Sequence, residues 1–170
     1  MTEATSTNRL YFKKTAYFNL HWNAKGHTGF VIFPDDRSSA GIIFKSIKHQ
    51  STADSSTEAE LMALHEALKY ISWNADIYLE LGYDIRLVDV HQDNKSAIIL
   101  SSEESINFRG RSKFMNRKYF AVYEKVANGE IKLVYTGTED MIPDILTKAL
   151  VGKKFSNFTI TLLGIKALYE

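Results

Sequence analysis

The chain has no cysteine, so disulfides and thiolate metal sites are excluded. It has no run of ~18 apolar residues, the least a helix needs to span a bilayer, and no membrane partner is expected. The N-terminus, MTEATSTNRL, lacks the apolar core of a signal peptide. There is no internal repeat and no low-complexity segment. Only two prolines occur: Pro34 closes a strand, and Pro143 suits a first helical turn, where its missing N–H does least harm. What is present is ordinary for a soluble globular domain: 170 residues, 45% hydrophobic and 24% charged, enough to bury one core. The expectation is an intracellular protein, cytoplasmic or nuclear, or a fragment of one. Nothing in the sequence bears on its oligomeric state.

The net charge of +1 hides an asymmetry. From Asp54 to Asp93 nine acids face two bases, a net of −7. From Arg109 to Gly129 six bases face one acid, a net of +5. One stretch suits cations and the other suits phosphates, or both are solvated helix faces.

The first nine residues read as a flexible leader. LYFKKTAYFNLHW reads as a strand, HTGFVIF returns after the turn residues NAKG, and AGIIFKSIKHQ follows the turn PDDRSS. The period then changes. Ser55, Ser56 and Thr57 offer N-caps, Glu58 and Glu60 lie in the first turns, and Leu61, Leu64, Leu68, Ile71 and Ala75 recur at helical spacing up to Gly82. LVDVHQ is a fourth strand, running into a helix opened by Asn94 and Ser96. RGRSKFMNRKYFAVYEKVANG is a second long helix, with Met115, Tyr119, Val122 and Val126 on one face. EIKLVYTG is a fifth strand, TEDMIPDILTKAL a short helix, and residues 156–170 a C-terminal helix or tail. The order βββ-α-β-α-α-β-α implies an α/β domain over residues 10–155. Its mixed five-stranded sheet carries helices on its faces, with the first strand central and the fourth parallel beside it.

Three acids from separate segments then fall toward one sheet end: Glu60 on the first helix, Asp93 at the tip of the fourth strand, and Asp144 early in a later helix. Gathered carboxylates repel. Divalent cations relieve that, and oxygen ligands of this kind suit Mg²⁺; two such ions ~4 Å apart activate water and stabilise the leaving oxygen of a phosphodiester. Each acid also has a plainer role open to it. Glu60 can serve the helix dipole, Asp93 can cap the next helix, and Asp144 can be a surface acid.

Four ordered blocks, SSTEAELMALHEAL, QDNKSAIIL, RGRSKF and GEIKLVYTGTEDMIPDILTKAL, closely resemble the ribonuclease H domain of Ty1/copia-type retrotransposon polyproteins. The resemblance runs from about Tyr17 to Phe155. It implies the ribonuclease H fold, and an endonuclease acting on the RNA strand of RNA–DNA hybrids during reverse transcription. It also implies a reverse transcriptase domain in the same polyprotein, and four acids holding two Mg²⁺ ions, with Mn²⁺ as a substitute. By match, Glu60, Asp93 and Asp144 are metal-holding catalytic positions.

The fourth acid departs from the pattern. AYFNLHW puts Asn19 where the family has the aspartate that bridges both metals. A neutral amide brings no charge, so cleavage is expected to be impaired. Phe114 and Asn116 replace the His and Asp of the family's KHID, Pro143 an alanine, and Ala149 a proline. The alternative is a catalytically dead nucleic-acid-binding or structural module; a third class is a protein-interaction domain. The basic segment fits nucleic acid in either of the first two cases. Five of the ten residues from Arg109 to Lys118 are Lys or Arg, and recognition of an A-like duplex rests on phosphate and 2′-hydroxyl contacts. The candidates are Arg109, Arg111, Lys113, Arg117 and Lys118, with Asn94 and Ser96 beside the acids.

Overall fold

The structure, a computed structural model, describes residues 8–15, 27–34, 39–48, 53, 55–83, 87–102 and 113–165; for residues 8–15 and 113–116 the backbone alone is described. Its elements are β1 (Asn8–Thr15), β2 (His27–Phe33), β3 (Ile43–Lys48), α1 (Ser56–Glu80), β4 (Val88–Gln92), α2 (Lys95–Ser102), α3 (Lys113–Ala127), β5 (Ile131–Tyr135), two 3₁₀ turns (Thr138–Asp140 and Ile142–Leu146) and α4 (Gly152–Leu162). The sheet order is β3-β2-β1-β4-β5. β2 pairs antiparallel with β1 and β3; β4 pairs parallel with β1 and β5. The expected mixed sheet, with its first strand central, is the one observed.

Three boundaries differ from the sequence reading. β1 starts at Asn8, inside the stretch read as a leader, because Asn8 and Arg9 already pair with Val88 and Asp89. The rest of the stretch read as this strand, residues 16–22, lies outside the described residues. TEDMIPDIL forms two 3₁₀ turns instead of one short helix; Pro143 has no N–H to continue a ladder from Thr138–Asp140. The last helix starts at Gly152 and crosses the expected boundary at residue 155.

β2 explains the layering. All but its first residue are buried, and alternate side chains serve opposite faces. Phe30 and Ile32 join Ala63, Leu64, Leu68 and Ile71 of α1, Val122 of α3, and Val88, Val90 and Ile131. Val31 and Phe33 join Ile142, Phe158 and Leu162. So α1 and α3 cover one face, and the second 3₁₀ turn and α4 cover the other. Each large apolar side chain buried in these clusters contributes roughly 1.5–3 kcal/mol.

α1 carries the clearest local signals. Ser55 Oγ accepts from the Glu58 N–H at 3.1 Å and caps it. At its end Gly82 has φ +86°, and the Tyr83 N–H reaches back to the Tyr78 carbonyl at 2.8 Å, a Schellman closure. Among the described residues no helix is long and apolar enough to cross a membrane.

Candidate functional site

β4 delivers a polar turn at its carboxyl end, and Gln92 is the junction there. Its side chain is fully buried. Its Nε2 donates to Glu60 Oε2 at 3.3 Å. Its Oε1 accepts from the backbone N–H groups of Asp93 at 2.8 Å and Asn94 at 3.2 Å. One amide thus joins α1 to the turn that bears Asp93. Glu60 is buried and faces this junction, while Glu58 occupies the capped first turn.

Asn94, not Asp93, caps α2: its Oδ1 accepts from the Ala97 N–H at 3.0 Å. The capping role considered for Asp93 is therefore taken by its neighbour. Asp93 Oδ2 instead accepts from Thr138 Oγ1 at 3.2 Å, out of the turn after β5. His91 is buried, with Nδ1 2.7 Å from Thr136 Oγ1. Ser96 is exposed in the first turn of α2.

Asp144 is 1% exposed, which rules out a surface acid. Its turn is pressed against β2. A Cβ on Gly29 would stand 2.6 Å from Thr147 Cγ2 and 3.0 Å from the Pro143 carbonyl. Gly29 pairs with Lys13, just past Tyr11, whose partner on β4 is His91. The Asp144 turn therefore lies by the same sheet end as Asp93. Lys148 Nζ lies 3.0 Å from Asp144 Oδ2.

A divalent ion is the group the resemblance implies, and the donor chemistry can be tested against it. The carboxylates are hard oxygen donors of the right kind. Their arrangement is not that of a metal centre. Glu60 receives an amide N–H, Asp93 a hydroxyl and Asp144 an ammonium. Among the described residues no three Asp, Glu or His side chains are gathered closely enough to hold a metal ion. As arranged, they do not fit one. Asn19 lies outside the described residues.

The basic segment divides. Arg109 and Arg111 lie outside the described residues, and Lys113 opens α3 with only its backbone described. Arg117 is exposed. Lys118 is half-buried toward α1. Burial lowers its pKa below 10.5, with Glu66 opposing that and Lys69 adding to it. His65 is held below 6.5 by burial first, then by Lys118 and Lys69, against Glu66. Glu66 of the acidic stretch and Lys118 of the basic one thus share a field where α1 meets α3.

Sequence reasoning missed Gln92, Thr138 and Lys148. Lys148 was legible, since Asp144 and Lys148 stand at the i,i+4 spacing that brings side chains together on a helical turn. Gln92 gave no signal, because an amide in a strand announces no partner on a distant helix.

No protein-family model matches the chain. It is 30% identical over 133 residues, 78% of its length, to the Retrovirus-related Pol polyprotein from transposon TNT 1-94 of Nicotiana tabacum, of which it spans 10%. It is 31% identical over 120 residues, 69% of its length, to that from transposon RE1 of Arabidopsis thaliana, of which it spans 8%. Among solved structures, LC11-RNase H1, isolated from compost, superposes with a TM-score of 0.60 at 16% identity over 84% of this chain and 93% of that one. The prototype foamy virus protease-reverse transcriptase does so with 0.57 at 12% identity, over 100% of this chain and 22% of that one.

Proposed function

We propose that this chain, which belongs to the Ty1/copia-type Pol polyprotein family and has the ribonuclease H fold, acts on the RNA strand of RNA–DNA hybrids and does so weakly as sequenced. The observation that carries the reading is the linkage of Glu60 to the Asp93 turn through Gln92, at the carboxyl end of the central parallel strands. LC11-RNase H1, one of the structures the chain resembles, is also solved in complex with an RNA/DNA hybrid. The chain covers a tenth or less of the Pol relatives named above. A reverse transcriptase domain in the same polyprotein is the partner proposed, and the cytoplasm or nucleus the compartment. The cofactor proposed for an active form is Mg²⁺, with Mn²⁺ as substitute. In the arrangement described, the three acids are engaged by protein groups, which supports weak hydrolysis independently of Asn19.

The test is strand cleavage of a labelled hybrid, with Mg²⁺ or Mn²⁺, by the chain as sequenced and by Asn19→Asp. Very slow or absent cleavage is expected before the change and faster cleavage after it. A gain of ~4 kcal/mol in transition-state stabilisation is about a thousandfold in rate. Strong Mg²⁺-dependent cleavage by the chain as sequenced would mean that Asn19 does not stand at the bridging position. Hybrid binding without cleavage by either form would favour the catalytically dead binding module.

A further inference from the structure

Asp144 and Lys148 meet where the resemblance expects a divalent ion. The carboxylate is 1% exposed and the ammonium lies 3.0 Å from Oδ2. The turn fixes this approach. The N–H groups of Thr147 and Lys148 donate to the Asp144 carbonyl at 3.1 and 2.8 Å, and Thr147 is pressed against Gly29. The Lys148 side chain is 29% exposed, so its stem lies along protein while its head faces the acid. A divalent ion approaching Oδ2 from the side of Lys148 would sit roughly 2.0–2.6 Å from that oxygen, overlapping the volume the ammonium fills.

We propose that Lys148 is a tethered internal cation, holding Asp144 Oδ2 in place of a divalent ion. Asp144 then has a counter-charge without metal, and an ion enters this position only by displacing the ammonium. The inference rests on the proposed function only for the identity of the ion displaced. Hybrid binding by the wild-type chain in EDTA tests that function separately.

The experiment is thermal unfolding of the whole chain in EDTA, Mg²⁺ and Mn²⁺, for wild type, Lys148→Met and Lys148→Arg, with direct Mn²⁺ titration followed by electron paramagnetic resonance. Wild type and Lys148→Arg should show the same Tm with and without metal. Lys148→Met leaves a buried charge without its ammonium. Its Tm in EDTA should fall by roughly 5–10 °C. It should regain half or more of that loss when the ion is about 100-fold above its Kd. Its Mn²⁺ affinity should exceed wild type by on the order of tenfold. Metal stabilising wild type as much as Lys148→Met would overturn the proposal. So would a Lys148→Met chain as stable as wild type and indifferent to metal. If Lys148→Met does not fold, the wild-type titration decides: micromolar Mn²⁺ binding that Lys148→Arg leaves unchanged overturns the proposal, and millimolar or weaker binding supports it.

Discussion

His65 lies where α1 meets α3, flanked by Lys118, Lys69 and Glu66. Its pKa is held below 6.5, chiefly by burial and then by the two lysines. The fold therefore prefers the neutral ring. As pH falls through 6.5 the unfolded chain takes up a proton that the folded chain still refuses, so stability is lost from there down to the folded pKa and is level above. His65→Gln should flatten the fall of Tm that sets in as pH drops below 6.5. Lys118→Met should move the ring only part of the way back toward 6.5, because burial, the larger cause, stays. An NMR titration of His65 that did not move would show that Lys118 exerts no field there. At this scale the acids were legible and their partners less so. DNKSA and TEDMIPDILTK mark Asp93 and Asp144 by their spacing to other residues. The hydroxyl that donates to Asp93 comes from Thr138, and the amide that donates to Glu60 comes from Gln92, each from a segment far away in the chain.

Among the elements, the second 3₁₀ turn positions the most, because it carries Asp144 and packs across β2. Its seat is Gly29, which has no positive φ; what the position requires is space. Gly29→Ala would bring a methyl into Thr147 and the Pro143 carbonyl. A loss of about 1–3 kcal/mol is expected, read as a lower urea midpoint with unchanged m. An unchanged midpoint would mean that the turn yields freely. α1 was legible because its cap, its apolar period and its terminal glycine agree. The 138–146 segment was misread as one helix with Pro143 in its first turn; Pro143 instead stands at the start of a separate 3₁₀ turn, because it has no N–H to continue a ladder from Thr138–Asp140. The ambiguous C-terminal stretch became α4 through Phe158 and Leu162, whose burial depends on β2 and is invisible locally.

For the molecule as a whole, hybrid affinity should follow phosphate contacts. Replacing Arg111, Lys113 and Arg117 by Ala should weaken binding with little sequence preference, and reduce the slope of log affinity against log salt by about one unit per lost contact. An unchanged slope would leave the segment a solvated surface. The sheet order was legible from the alternation of strands and helices, because a parallel fourth strand needs α1 as its crossover. The separation of acidic and basic stretches was less informative. Packing α1 beside α3 brings Glu66 and Lys118 into one field, an outcome that a count along the chain does not reveal.

The parallel ladder between β1 and β4 also sets a timetable for synthesis. Asn8 pairs with Val88 and Tyr11 with His91, so the central strand emerges from the ribosome long before its neighbour. At 5–20 residues per second the wait is on the order of ten seconds. During it the β1–β2–β3 meander holds an open flank of unpaired amides and carbonyls, a template for pairing with another nascent chain. A copy truncated before Val88 would keep that flank open indefinitely, and aggregation rather than a smaller folded unit is its expected fate.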